Sequence, residues 1–344
     1  MSGGSQPGDT MAERSDDPTW KHWLLLNANR WVITAGLMAF VFLGLVLASA
    51  FSPVALRQLM VEKEPVHFLF QALVTALITG VTLVVTINQL VLSQELGALD
   101  DQRERLSGSM EFREDTEDAI DSPISPPEPA AFLQSIVSTS SDRAVDLREA
   151  TADGHDDDLH ERIGDFVDNL TDHAETICDD LDDAQFGTYE VLKSALDYNY
   201  SWKIFRLRRI KNAHADDLTD EARDAYDELL ETLEYFGLAR EHFKTLYFQW
   251  ELINLSRAMM YVAVPALVVT ASMLLFFDVD AATGTLLGVD QLVWITALAV
   301  TVAVTPFLLL ISFILRIATV AKRTLAIGPF ILRESSRSQD DDVE

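Results

Sequence analysis

Phe68-Leu-Phe-Gln-Ala-Leu-Val-Thr-Ala-Leu-Ile-Thr-Gly-Val-Thr-Leu-Val-Val-Thr-Ile-Asn-Gln-Leu-Val-Leu92 contains no charged residue. A helix rises about 1.5 Å per residue, so a run of this length crosses a hydrocarbon core of about 30 Å. It reads as a transmembrane span and fixes the class of protein. Three further uncharged apolar runs, Trp31 to Phe51, Met259 to Phe277 and Leu292 to Leu315, read the same way. Trp20, Trp23 and Trp31 mark an interface, since indole rings prefer headgroup depth. Pro265 and Pro306 fall inside the last two runs, where neighbouring helices can satisfy the freed carbonyls. Ala48-Ser49-Ala50 has the small-residue spacing of a signal-peptidase site. The apolar run before it is too long for a signal core and the tail before that is acidic, so the first span is expected to be retained.

The rest of the chain has a different character. Of 344 residues 49% are hydrophobic and 23% charged, and 54 acids outweigh 26 bases for a net charge of -28. Arginine dominates the bases, the lysines being Lys21, Lys63, Lys193, Lys203, Lys211, Lys244 and Lys322. Such aspartate-rich, lysine-poor surfaces suit molar salt, where a Debye length of about 3 Å lets crowded carboxylates coexist. Cys178 is the only cysteine, which excludes an internal disulfide and a cysteine-rich metal site.

Most of the acids lie between Ser93 and Arg257. This stretch breaks near 121–129, where Ser-Pro-Ile-Ser-Pro-Pro-Glu-Pro cannot continue a helix. Beyond it, Leu159, Ile163, Phe166, Leu170, Ala174, Ile177 and Leu181 recur at steps of three and four, the stripe of an amphipathic helix. A second pattern runs from Ala222, Tyr226, Leu229, Leu233 and Phe236 through Phe243, Leu246, Trp250 and Ile253, with Thr219 as its N-cap. No proline interrupts it before Pro265, so the third span is expected to continue this helix, with Gly237 its weakest point. No strand-period segment and no fixed repeat is evident.

The chain therefore reads as an all-α membrane protein, with four transmembrane helices and a helical cytoplasmic domain inserted between the second and third. Residues 1–30 and 316–344 are tails, 31–92 and 258–315 carry the helix pairs, and 93–257 is the acidic domain. Orientation follows the bases near the span ends. Arg103, Arg105 and Arg113 follow the second span and Arg316, Lys322, Arg323 and Arg333 the fourth, while Asp278 to Asp290 carries none. Both termini are thus expected in the cytoplasm of a cell-membrane protein, although Arg57 and Lys63 in the first link run against the rule.

Two groups of residues stand out as candidate sites. Gln71, Thr75, Thr79, Thr82, Thr86, Gln89 and Ser93 fall within an arc of about 80° at about 100° per residue, with Asn88 off the stripe. In hydrocarbon such a face must meet protein or water. It is either a packing seam or the lining of an aqueous path, joined in the second case by Thr301, Thr305 and Ser312 on one face of the fourth span. With no charge in any span core, only a passive pathway fits. The other group is Lys203, Arg206, Arg208, Arg209 and Lys211, which spread around a helix as a basic collar. The collar either compensates the chain's own acids or touches anionic headgroups; the surrounding charge would repel nucleic acid.

His155-Asp-Asp-Asp-Leu-His160-Glu161 lacks the ligand spacing and turn glycine of a calcium loop and reads as a solvated helix start, and His173 and Cys178 read as incidental. No phosphate loop, H-E-x-x-H, G-x-S-x-G or dinucleotide fingerprint occurs, so neither a catalytic role nor a metal or cofactor is expected. Asn88 to Gly97, Gln102-Arg-Glu-Arg105 and Met110-Glu-Phe-Arg113, together with the four spans, resemble a family of uncharacterised four-span haloarchaeal membrane proteins, which implies no activity. The expected function is a structural or signalling scaffold. Its expected partners are the lipid bilayer, further copies of the chain in a homo-oligomer and a cytoplasmic protein. A passive channel formed by an oligomer is the alternative, and a membrane enzyme ranks below both.

If the acidic surface is built for salt, dialysis from molar to low salt will cost the protein a large part of its helical circular dichroism. A spectrum unchanged by dialysis removes that reading.

Overall fold

The computed structural model describes residues 20, 23–51, 64–152, 156–182, 184, 189–215, 217–278 and 284–323. In chain order a π-helical turn, Trp23–Asn27, precedes α1 (Arg30–Ala50), α2 (Glu64–Glu95), α3 (Leu99–Ala119), α4 (Pro129–Ala150) and α5 (Asp157–Asp182). There follow α6 (Tyr189–Asp197), α7 (Tyr200–Ala213), α8 (Asp220–Leu275), the strands β1 (Thr285–Leu286) and β2 (Val289–Asp290), and α9 (Gln291–Arg323). Four of these, α1, α2, α8 and α9, are long and apolar enough to cross a membrane. The chain divides into two compact units, one holding Ala98–Phe248 and the other Trp23–Gly97 with Gln249–Thr319.

In the apolar unit α9 is the helix the others pack around. Of its most apolar stretch 44% is buried, against 11% for α1 and 17% for α2. Val46 of α1 meets Val293 and Ala297. Val66 and Phe70 of α2 join Met273, Leu292 and Ala299, and further along Val84 joins Leu255, Met259, Leu309 and Phe313. Ala297, Ala299 and Ala303, all buried, let backbones approach closely, which is how helices associate where lipid removes the hydrophobic drive. Both α8 and α9 continue through their prolines, Pro265 and Pro306.

Two local features depart from the sequence reading. Residues 23–30 are not tail: Leu26, Ala28 and Arg30 are buried. The link ahead of α9 also holds a two-residue antiparallel hairpin, pairing Thr285 with Asp290 and Leu286 with Val289. Its turn residues Leu287 and Gly288 both have positive φ, 54° and 78°, the sense that matches strand twist. A pattern of two residues is too short for any periodicity to reveal.

The second unit is a helical bundle. The stripe from Leu159 to Leu181 on α5 is buried throughout, packed against Phe132, Leu133, Ile136 and Leu147 of α4 and against Leu229, Leu233 and Phe236 of α8. The α8 pattern is buried from Ala222 to Phe236 and then fades, Trp250 being 45% exposed. The proline-rich link is pinned rather than loose. Arg113 donates to Ser125 O at 2.8 Å and to Ser125 Oγ at 2.7 Å, while Glu117 accepts from Ser125 N and Oγ, both at 2.7 Å. These hydrogen bonds from Ser125 hold the Glu117 carboxyl below its usual range.

Gly237 does not break α8, which runs unbroken from Asp220 to Leu275. The glycine is there for space: a Cβ at that point would lie 2.6 Å from Cε2 of Tyr200. Gly164 of α5, by contrast, faces open space. Gly237→Ala is therefore expected to destabilise the unit by about 1–3 kcal/mol through overpacking. Gly164→Ala should stabilise it by about 0.5–1 kcal/mol through helix propensity. Chemical denaturation followed by circular dichroism reads both, and equal signs would contradict the packing seen here.

Candidate functional site

Arg30 is the first residue of α1, just after Asn29, whose side chain accepts from Trp31 N at 2.9 Å and caps the helix. A cation there opposes the helix dipole, and this one is also 95% buried. It is held by backbone carbonyls: it donates to Ser312 O at 3.0 Å, Leu25 O at 3.2 Å and Leu26 O at 3.4 Å. The π-helical turn supplies the last two.

Arg316 of α9 reaches the opposite way. It donates to Ala28 O at 2.8 Å and pairs with Glu251 of α8 at 3.2 Å. Thr34 and Ser312 close the gap between the arginines with a hydroxyl contact of 3.2 Å. Two arginines and one glutamate, all buried, thus clasp the entry segment, α8 and α9 together. Sequence reasoning missed this clasp because Arg30 and Arg316 each lie one residue outside a predicted span and Glu251 outside the third. The available signal was the four-residue spacing of Arg30 to Thr34 and Ser312 to Arg316, polar pairs on one helix face.

The polar stripe of α2 is a single face, as its spacing requires, and the other spans leave it uncovered. Gln71, Thr75, Thr79, Thr82, Thr86, Gln89 and Ser93 are all exposed. The hydroxyls turn back onto carbonyls of their own helix: Thr75 to Gln71 at 3.1 Å, Thr79 to Thr75 at 2.9 Å, Thr82 to Ile78 at 2.8 Å and Thr86 to Thr82 at 2.9 Å. Along its Gln71–Thr79 half lies an open groove of about 650 Å³, bordered by Phe307. Thr301, Thr305 and Ser312 do not join it. They are buried, and they bond to Ala297, Thr301 and Leu309 of their own helix at 2.7, 2.8 and 2.8 Å. Asn88 is half-buried, with its Oδ1 unmatched among the described residues.

The basic collar is not a collar in the structure, because α7 is itself amphipathic, with Ile204, Leu207 and Ile210 buried. Lys203 lies on the buried face at 2% exposure, its Nζ 3.0 Å from Nδ1 of His173 and 4.9 Å from the centre of the Tyr198 ring. The long apolar stem of lysine lets it enter a core when its tip finds partners. Lys211 pairs with Asp227 at 2.6 Å and lies over the Tyr226 ring, and Arg206 lies over Phe166. Only Arg208 and Arg209 face outward.

His173 is therefore not incidental. It stacks near Tyr198, whose hydroxyl is 2.7 Å from Ser140 Oγ and whose pKa burial drives up. Burial, aided by the charges of Asp182 and Asp179, pushes the Cys178 thiol up to about 11, so it is a poor nucleophile. At the start of α5, Asp156 accepts from Asp158 N at 3.0 Å and Leu159 N at 3.4 Å, and its other oxygen meets His214 Nδ1 at 2.8 Å. Asp217 completes a set of three ligand atoms within 4.8 Å of one another. The cap and the imidazole account for the aspartate without any cation. His155 lies outside the described residues, Glu161 is exposed and His160 half-buried.

Apolar helices of spanning length, closed at one end by buried arginines, define a multi-pass helical membrane protein. Within that class the chain belongs to DUF7972, a family of unknown function whose model matches residues 1–344. No curated protein and no solved structure matches it.

The clasp makes a measurable claim. Glu251→Ala leaves Arg316 buried without its carboxylate and is expected to cost about 3–5 kcal/mol. The double change Glu251→Leu with Arg316→Met removes both charges and should cost less than half of that. Thermal unfolding in detergent would show the reverse order if the pair were merely peripheral.

Proposed function

We propose that this protein is a membrane-anchored scaffold, whose helical unit offers a binding surface on the cytoplasmic side. The observation that carries this reading is α8, one helix of 56 residues that begins among the core residues of the helical unit and ends in the third span. A binding surface on that unit is tethered to the membrane by the same helix. The bases Arg103, Arg105, Arg113 and Lys322 near the span ends favour the cytoplasmic side, by the bias that orients spans.

A passive channel is the second reading, favoured by the exposure of the whole α2 stripe. The path would have to form between copies, since Thr301, Thr305 and Ser312 are enclosed within one. The threonine hydroxyls already have acceptors on their own helix, so this face does not require water.

Two measurements separate the readings. Full-length protein captured from native membranes at high salt is expected to retain a defined protein in near-stoichiometric amount. Purified protein in liposomes is expected to pass small ions no faster than empty liposomes. Flux above that background, sensitive to Thr79→Cys after thiol labelling in a Cys178→Ser chain, would replace the scaffold with the channel.

A further inference from the structure

The outward face of α7 is unlike the rest of the helical unit. Trp202 and Phe205 stack with ring centres 5.2 Å apart at 27°, and Phe205 is 44% exposed. At about 100° per residue, Trp202, Phe205, Arg208 and Arg209 share an arc of about 120°, opposite the buried Ile204 and Leu207. Many other bases of the unit are matched to acids: Arg143 to Asp121 and Glu228, Arg148 to Asp168, Arg162 to Asp158, Lys211 to Asp227. Arg208 and Arg209 form no ion pair among the described residues, in a chain with twice as many acids as bases. Aromatic rings flanked by arginines are the residue types that carry binding energy at protein interfaces.

A complementary surface is present on the same unit. Asp165, Asp172, Glu175 and Asp179 lie on one exposed face of α5 and form no ion pair among the described residues. Helices α5 and α7 are neighbours, joined by Arg206 over Phe166 and by Lys203 at His173. A two-fold axis can therefore seat the α7 face of each copy on the α5 face of the other, giving two identical contacts from one symmetry operation. An anionic lipid surface would attract the two arginines but repel the carboxylates around them. A second copy is attracted by both faces at once.

We propose that the Trp202, Phe205, Arg208 and Arg209 face of α7 binds the acidic α5 face of a second copy of this chain, making the helical unit a reciprocal dimer. The proposal rests on the scaffold reading and names one partner for it. Close charge pairs are screened less by salt than exposed ones, and the aromatic half of the contact strengthens with salt, so the dimer persists in a saline cytoplasm.

The test places p-benzoylphenylalanine at position 205 of the full chain, purified, reconstituted in liposomes and irradiated. The expected product has twice the chain mass, and its peptide map joins residue 205 to residues 157–182 of the other copy. Arg208→Glu with Arg209→Glu should lower the yield about tenfold with circular dichroism unchanged, and Arg208→Lys with Arg209→Lys should retain most of it. Adding Asp172→Arg and Glu175→Arg to the Glu pair should restore it. Adducts confined to lipid or to the same chain, or a yield indifferent to charge reversal, overturn the proposal. A partner captured from native membranes in that event leaves the scaffold reading standing without the dimer.

Discussion

A guanidinium carried out of water has to find acceptors, because the alternative costs several kcal/mol per ion. Arg30 and Arg316 meet that demand reciprocally. Arg30 reaches a carbonyl one helical turn before Arg316, and Arg316 reaches one two residues before Arg30. Their full set of acceptors forms only with the entry segment, α1 and α9 in register, so the polar requirement favours that packing. Glu251 extends the same condition to α8. Apolar contacts between these helices, many through alanine, would tolerate sliding; the charged groups do not.

The helical unit is ordered by a different force. Its core is built from two 3.6-residue patterns, one on α5 and one on α8, that bury Leu, Ile and Phe against α4. Around that core most bases are spent on neighbouring acids, at the small value of surface ion pairs. What they leave is a surface of strongly negative sign with one outward aromatic and basic face.

Periodicity made much of this legible. The spans, the α5 stripe and the continuity of the third span with the preceding helix follow from where charges and prolines fall. The direction of a polar face does not: the spacing of Thr75 to Thr86 defines a side of α2, but nothing in the spacing says whether neighbours cover it. Arg30 and Arg316 were hidden for a related reason, since a charge at the end of an apolar run looks the same whether it meets headgroups or a partner helix. The spread of bases around α7 did not say which of them are covered. Lys203 is buried, and only its Ile and Leu neighbours, at their helical spacing, hinted that this part of α7 turns inward. The acidic run after His155 was legible as a helix start, and Asp156 stands there, but its contact with His214 comes from a distant part of the chain, a pairing no local window contains.

The course of α9 constrains how this chain can vary. Ser312, whose carbonyl accepts from Arg30, and Arg316, which donates to Ala28, stand one turn apart on it. A single residue inserted between them would swing one contact about 100° from the other. Length in this turn is thus fixed, and chains built on this plan should differ here by substitution alone.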